Sequence, residues 1–159
     1  MPKRLLCHHS YNSQMKPSVL NGMSARQFLR DYWQKRPLLI RQALPQFKGL
    51  LSFAEMQVLA QRDDVQSRLV RETRGVWQVR QGPLRGSDYR GLKQAHWSLL
   101  VQGVEQQLAA GRALLALFNF IPYARLDDLM VSFAPQGGGV GPHFDSYDVF
   151  LLQGGGHKR

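Results

Sequence analysis

A helix is predicted near the start of the chain, where large apolar residues recur at helical spacing. Ser24 is a favoured N-cap, and Pro37 cannot continue a helix. One helical face is predicted to carry Phe28, Leu29, Tyr32 and Trp33. The apolar residues 38–40, which follow Pro37, predict a short strand.

The next apolar segments predict a second helix and a β-hairpin. Residues 52–55 read Ser-Phe-Ala-Glu, which is a capping box, and they predict a helix that runs to about Gln61. Apolar residues predict strands over 68–71 and 76–80, and the Thr-Arg-Gly sequence at 73–75 predicts the turn that joins them. These four features indicate alternating helix and strand in the first half of the chain.

The pattern changes after residue 95. Residues 95–109 predict a helix with one apolar side, and Gly111 is expected to end it. Residues 128–134 alternate as a half-buried strand does, residues 135–142 form a glycine-rich loop, and residues 147–152 predict another strand. The fold class is therefore predicted to be α+β, with a helix-and-strand region that leads into a sheet.

Three regions are predicted along the chain. Residues 1–14 are polar and show no period, so we expect a disordered tail, with Met15 as the true start. Residues 15–110 form the lead-in, and residues 111–159 begin the sheet core. A sheet with only two strands in its last region would leave an open edge. We therefore expect the chain to be a truncated part of a larger domain.

Composition narrows the class of protein. The 159 residues are 43% hydrophobic and 20% charged, values that disfavour collagen, coiled coil and wholesale disorder. A single cysteine, Cys7, favours a reducing compartment, and no apolar run is long enough for a membrane span or a secretory signal. The net charge of +10 favours polyanionic surroundings such as ribosomes or RNA. Because the basic residues are scattered along the chain, they predict a solvated basic surface more than a specific binding site for a polyanion.

The strongest chemical signal is the sequence Gly-Pro-His-Phe-Asp at residues 141–145. In extended backbone, His143 and Asp145 project to the same side, and Phe144 is expected to face the opposite way, into packing. An imidazole and a carboxylate at one point are two of the three ligands of a facial iron site, which leaves coordination positions open. A chance pair in a surface loop is the alternative interpretation of these two residues alone.

The surrounding sequence resembles a known family. Residues 127–154, from Asp-Asp-Leu-Met-Val-Ser-Phe through the glycine loop to Gln-Gly, closely resemble the metal-binding core of the JmjC-type cupin oxygenases. More narrowly, the chain resembles the bacterial ribosomal oxygenases from about residue 18 to residue 159. Matching segments occur in order at residues 33–40, 67–70, 77–79, 82–83 and 97–102.

The resemblance implies a truncated double-stranded β-helix (cupin or jelly-roll fold) and a dioxygenase that uses Fe(II), 2-oxoglutarate and O2. It implies that His143 and Asp145 ligate iron, and that Lys158 pairs with the distal carboxylate of 2-oxoglutarate. Tyr147 and Asp148 follow the metal pair and are expected to line the substrate channel.

The chain departs from the family at the third iron ligand, a histidine that lies farther downstream in these enzymes. Within the chain, His8 and His9 fall in the tail, and His157 is not at a ligand position. His96 is expected at the start of a helix, as a capping or surface residue. This chain alone is therefore expected to be inactive as an enzyme. The family forms homodimers, which we do not expect for this part by itself.

The implied activity is hydroxylation of an arginine of a large-subunit ribosomal protein in the cytoplasm, near the ribosome and its rRNA, with no membrane involved. Two other functions stay open from the sequence. One is a non-catalytic, truncated cupin product. The other is a basic ribosome- or RNA-binding module that uses the +10 charge without chemistry.

Overall fold

A computed structural model describes residues 19–158 as a mixed chain of short helices and one antiparallel sheet. The predicted α+β class is therefore confirmed. The prediction of a disordered tail over residues 1–14 lies outside the described residues. None of the helices between residues 19 and 158 is long and apolar enough to cross a membrane.

The first two helices begin at the predicted caps. Helix α1 spans Ala25–Asp31, and the Ser24 hydroxyl accepts a hydrogen bond from the Gln27 N–H at 3.1 Å. Helix α2 spans Phe53–Ala60. Its capping box is complete, because the Ser52 side chain accepts from the Glu55 N–H while the Glu55 carboxylate accepts from the Ser52 N–H at 2.8 Å.

Four antiparallel strands form one sheet in the order β2-β1-β3-β4. Their bounds are β1 Ser67–Thr73, β2 Val76–Gln81, β3 Trp97–Val101 and β4 Val131–Phe133. The hairpin of β1 and β2 confirms the prediction. In register, Leu69 of β1 faces Arg80 of β2 on one side and Leu99 of β3 on the other, and Leu99 faces Phe133 of β4.

The predicted helix over residues 95–109 is wrong. Its first half is strand β3, followed by two short helices, α3 at Val104–Gln107 and α4 at Ala109–Leu115. Strand β3 pairs with β1 and β4, and all five of its residues are buried. A short, mostly apolar segment does not distinguish a buried strand from a helix. Gly111 does not end a helix either. It lies within α4, where a Cβ atom would stand 2.9 Å from the Val104 carbonyl oxygen, so glycine allows α4 to approach α3.

Two further strand predictions also differ from the structure. Residues 38–40 form no strand, and Leu38 and Ile40 pack instead at the side of a helical cluster. Residues 147–152 contain no regular strand. Phe150 and Leu152 pack on that same cluster, while the residues that alternate with them along the segment are exposed. The segment keeps the alternation of a strand, and that alternation is what the sequence pattern detected.

The core has two parts. The sheet cluster packs α2 and the Val65 loop against one face of the sheet, and its most buried members are Met56, Leu69, Leu84, Leu99, Val101 and Val104. The helical cluster joins α1, α4 and the segment after the glycine loop, and its buried members are Val19, Leu20, Phe28, Leu44, Leu114 and Phe118. Short 3₁₀ turns at Gly86–Tyr89, Ala116–Phe118 and Tyr123–Arg125 connect these parts.

Candidate functional site

A glycine-rich loop leaves β4 and passes close to the backbone of β3. The His96 N–H donates to the Gln136 carbonyl at 2.9 Å, and the Gly138 N–H donates to the Pro135 carbonyl at 2.9 Å. A Cβ atom on Gly138 would lie 2.2 Å from the Trp97 carbonyl oxygen, closer than any real side chain could stand. The loop is therefore seated against the central strand, and residues 135–142 form a loop as predicted.

The loop ends at His143, whose ring is oriented by the backbone. The His143 Nδ1 atom lies 2.9 Å from the Gly141 carbonyl oxygen. A carbonyl oxygen only accepts hydrogen bonds, so this contact favours a proton on Nδ1 and leaves Nε2 to face another partner. Metal-ligating histidines in proteins are commonly held in this way, by a backbone carbonyl on the other ring nitrogen.

Asp145 lies on the same side as His143. The distance from His143 Nε2 to Asp145 Oδ2 is 3.5 Å, and the two side chains are 53% and 38% exposed. The spacing of two residues therefore brings the imidazole and the carboxylate together, although the segment is not a regular strand. Phe144 between them is fully exposed, so the expectation that it packs inward is wrong.

The pair of atoms suits a cation. An imidazole nitrogen and a carboxylate oxygen at this separation are held together by a proton or a positive ion between them. Two ligand atoms that share one metal ion through bonds of about 2.1 Å stand roughly 3–4 Å apart, which matches the observed separation. Across residues 19–158 there is no group of three or more His, Cys, Asp or Glu side chains that could hold a metal. The described chain thus brings together one imidazole and one carboxylate, the two side-chain types predicted for a facial site.

The two residues predicted for the substrate channel have different surroundings. Tyr147 is 63% exposed and free to meet a partner. Asp148 accepts a hydrogen bond from the Gln34 N–H at 3.2 Å, which joins the segment after the metal pair to the end of the first helical region. Gln34 has a positive φ of 56°, a local backbone geometry with no strong signal in the sequence.

Lys158 follows a close backbone contact between two distant segments. A Cβ atom on Gly154 would lie 2.7 Å from the Gly49 Cα atom, so this approach requires glycine at position 154. Beyond the contact, His157 and Lys158 are both exposed. The role of Lys158 toward 2-oxoglutarate stays a prediction.

His96 lies at the surface, which was one of the two expectations, but it neither caps nor starts a helix. It precedes β3 with a φ of +63°, and its Nδ1 atom lies 3.2 Å from the Glu72 Oε2 atom. The ring also fills the space beside Gly137, where a Cβ atom would stand 2.8 Å from His96 Cε1. His96 and Glu72 therefore support the first part of the glycine loop, a role that sequence reasoning missed.

Comparison with known proteins gives the same family as the sequence motifs. Residues 113–159 match the model of the JmjC domain. Over 133 residues the chain is 48% identical to a probable ribosomal oxygenase of Haemophilus influenzae, a match that covers 83% of this chain and 33% of that protein. It is 45% identical over 132 residues to the ribosomal protein uL16 3-hydroxylase of Escherichia coli, covering 83% of this chain and 35% of that protein.

A solved structure agrees with these relatives. The structure of YcfD, a ribosomal oxygenase from Escherichia coli, in complex with cobalt and 2-oxoglutarate matches with a TM-score of 0.73 and 41% identity, over 79% of this chain and 34% of that one. The chain spans about a third of the length of the curated relatives it matches. The chain is therefore a homologue of ribosomal oxygenases over about a third of their length, and its residues 113–159 match the JmjC domain.

Proposed function

We propose that this chain forms the iron- and 2-oxoglutarate-binding part of an oxygenase that hydroxylates an arginine of a large-subunit ribosomal protein. The observation that carries the proposal is the geometry of His143, whose Nδ1 is held by the Gly141 carbonyl while its Nε2 faces Asp145 at 3.5 Å. A surface pair formed by chance does not need this backbone restraint on one ring nitrogen. The match to the JmjC domain over the same residues supports it.

His143 and Asp145 would hold Fe(II) through one nitrogen and one carboxylate oxygen. Two protein ligands of a facial site leave adjacent positions open for a cosubstrate. When bound, iron with 2-oxoglutarate and O2 supplies the oxidising chemistry that converts a C–H bond to C–OH. The part played by Gly141 is to fix the ring orientation and the tautomer, so that no reorientation of His143 is needed when the metal binds.

Lys158 would pair with the distal carboxylate of 2-oxoglutarate. An exposed ammonium on a flexible stem, placed after the contact of Gly154 with Gly49, can reach a carboxylate as a point charge. Tyr147 would contact the ribosomal protein substrate, since it is exposed just beyond the metal pair. The bond of Asp148 to Gln34 favours an anchoring role for this carboxylate over direct contact with substrate.

The substrate class rests on the relatives. One of them is named for 3-hydroxylation of ribosomal protein uL16, and the similarity of this chain to it supports a ribosomal protein substrate. A cytoplasmic location, close to ribosomes, accords with that substrate. The net charge of +10 would favour approach to rRNA through general attraction.

The ion pairs argue against a separate RNA-binding function. Arg30 and Arg62 each pair with a nearby carboxylate, at 2.7 Å to Asp31 and 2.8 Å to Asp64. These guanidinium groups hold the pKa of Asp31 and of Asp64 below its usual range through hydrogen bonds. Arginines that are engaged locally contribute less to a phosphate-binding surface, and the remaining basic residues of the 21 are scattered along the chain.

A chimera tests the proposal. Residues 19–158 would replace the matching part of the Escherichia coli uL16 3-hydroxylase, which is 45% identical, so that the relative supplies the rest of the enzyme. With Fe(II) and 2-oxoglutarate, we expect mass spectrometry to detect hydroxylated uL16. The H143A chimera should lose at least about 100-fold in rate, because a ligand matters more than the groups that merely orient one.

The matched control is H157A, which removes an exposed histidine that is not expected to ligate iron. Its hydroxylation rate should stay near that of the parent chimera. A folded parent chimera with no hydroxylation would instead support the non-catalytic interpretation of the chain. Equal rates for the H143A and parent chimeras would show that His143 is not a ligand.

A further inference from the structure

We propose that Trp77 is a positioning residue for His143, acting through the glycine loop. The inference deepens the proposed function and rests on it for the role of His143 as a metal ligand. The contact of Trp77 with the loop, and its effect on the orientation of the His143 ring, can be measured without metal.

The indole of Trp77 covers the last part of the loop. Trp77 lies on the edge strand β2, and a Cβ atom on Gly141 would stand 3.3 Å from its Cε2 atom and 3.4 Å from its Cδ2 atom. A Cβ atom on Gly139 would stand 3.7 Å from its Cη2 atom. The flat ring therefore packs along two glycines, and a side chain at Gly141 would push against it.

Gly141 connects the indole to the candidate ligand. Its φ is +82°, a conformation that glycine adopts without strain, and its carbonyl oxygen accepts the hydrogen bond from His143 Nδ1 at 2.9 Å. A loop with this much glycine has many accessible conformations. Contact with a rigid aromatic ring restricts them to the one that points the carbonyl at His143.

The same β-hairpin supports the other end of the loop. Glu72 is the cross-strand neighbour of Trp77 in β1, and its carboxylate lies 3.2 Å from His96 Nδ1. The His96 ring in turn packs against Gly137. The neighbours Glu72 and Trp77 therefore both support the loop. Glu72 acts on its first part through His96, and Trp77 packs directly on its last part.

The position of Trp77 is otherwise hard to explain by core packing. All six residues of β2 are exposed, and Trp77 remains 39% exposed. Val79, two residues along the same strand, projects from the same face and is 56% exposed. Trp77 differs from Val79 in its contact with the glycine loop, so the two residues form a matched pair for substitution.

The first readout is the tautomer of His143 in the metal-free chain, measured by ¹⁵N NMR of the imidazole nitrogens at alkaline pH. In the parent chain we expect the Nδ1–H form to dominate. In W77A it should become the minor form, because the loop no longer fixes the Gly141 carbonyl. V79A should keep the parent tautomer. An unchanged tautomer in folded W77A would overturn the proposal.

The second readout is Co²⁺ affinity, measured in a background with H8A and H9A so that these two histidines cannot contribute. W77A is expected to weaken Co²⁺ binding about 10-fold or more, the usual effect of losing a group that orients a ligand, and V79A should not. W77F, which keeps a flat ring, should restore part of the affinity. Should W77A fail to fold, W77L keeps apolar bulk without a flat indole and is expected to show the same tautomer change.

The two readouts separate the two proposals. In one outcome, W77A changes the tautomer of His143, but the parent chain shows no Co²⁺ binding that depends on His143. That outcome would contradict the proposed function and support the positioning role of Trp77. In the opposite outcome, H143Q abolishes Co²⁺ binding, while W77A changes neither Co²⁺ binding nor the tautomer of His143. That outcome would support the metal site and reject the role of Trp77.

Discussion

Replacing Phe150 by alanine is expected to lower the free energy of unfolding by about 2–4 kcal/mol, the range for removing a large aromatic side chain from a packed site. The Phe150 ring lies among four others of the helical cluster. The centroid distances are 5.8 Å to Phe28, 5.9 Å to Trp33, 4.6 Å to Phe118 and 6.2 Å to Phe120. This contact joins the segment that follows the metal pair to the first helix.

The control is F144A, six residues earlier in the same segment. Phe144 is fully exposed in the described chain, so its removal should change stability by less than about 0.5 kcal/mol. Urea unfolding followed by far-UV circular dichroism measures both variants. Equal losses for F150A and F144A would contradict the packing of the segment on the helical cluster.

A second large effect is expected from G138A, which should cost about 2–4 kcal/mol in unfolding free energy, as overpacking against rigid structure does. Its Cβ atom would stand 2.2 Å from the Trp97 carbonyl oxygen and 3.0 Å from the Pro135 carbonyl oxygen. Both atoms belong to the backbone, and Trp97 lies in the buried strand β3, so neither can move cheaply.

The neighbouring glycine is the control for this prediction. The nearest atom to a Cβ on Gly139 is Trp77 Cη2 at 3.7 Å, an ordinary van der Waals distance, and its φ is not in the left-handed region. G139A should therefore change stability by less than about 1 kcal/mol. Thermal unfolding of both variants measures the difference. A G138A protein as stable as G139A would contradict the close seating of the loop on β3.

Local signals in the sequence predicted the elements that local interactions determine. Ser24 and Ser52 each cap a helix through hydrogen bonds to residues three positions away, and such spacing is readable in a sequence. The hairpin of β1 and β2 has its turn where Thr73 to Gly75 predict it. The closeness of His143 and Asp145 was likewise predicted, from their spacing of two residues.

Other features depend on partners far along the chain. Strand β3 is an inner strand with every residue buried, and that burial is not visible in a short window of sequence. The bond from Gln34 to Asp148 joins residues separated by 114 positions. The packing of Trp77 on Gly141 has the same long-range origin, because the two residues belong to distant segments of the chain.

The central claim is that His143 and Asp145 bind one divalent cation together. Isothermal titration of the 159-residue chain with Co²⁺, in the H8A and H9A background, tests it directly. We expect a saturable site whose affinity falls about 10-fold or more in both H143Q and D145N and stays unchanged in H157Q. A parent chain without such a site, or variants H143Q and D145N that bind Co²⁺ as tightly as the parent, would contradict it.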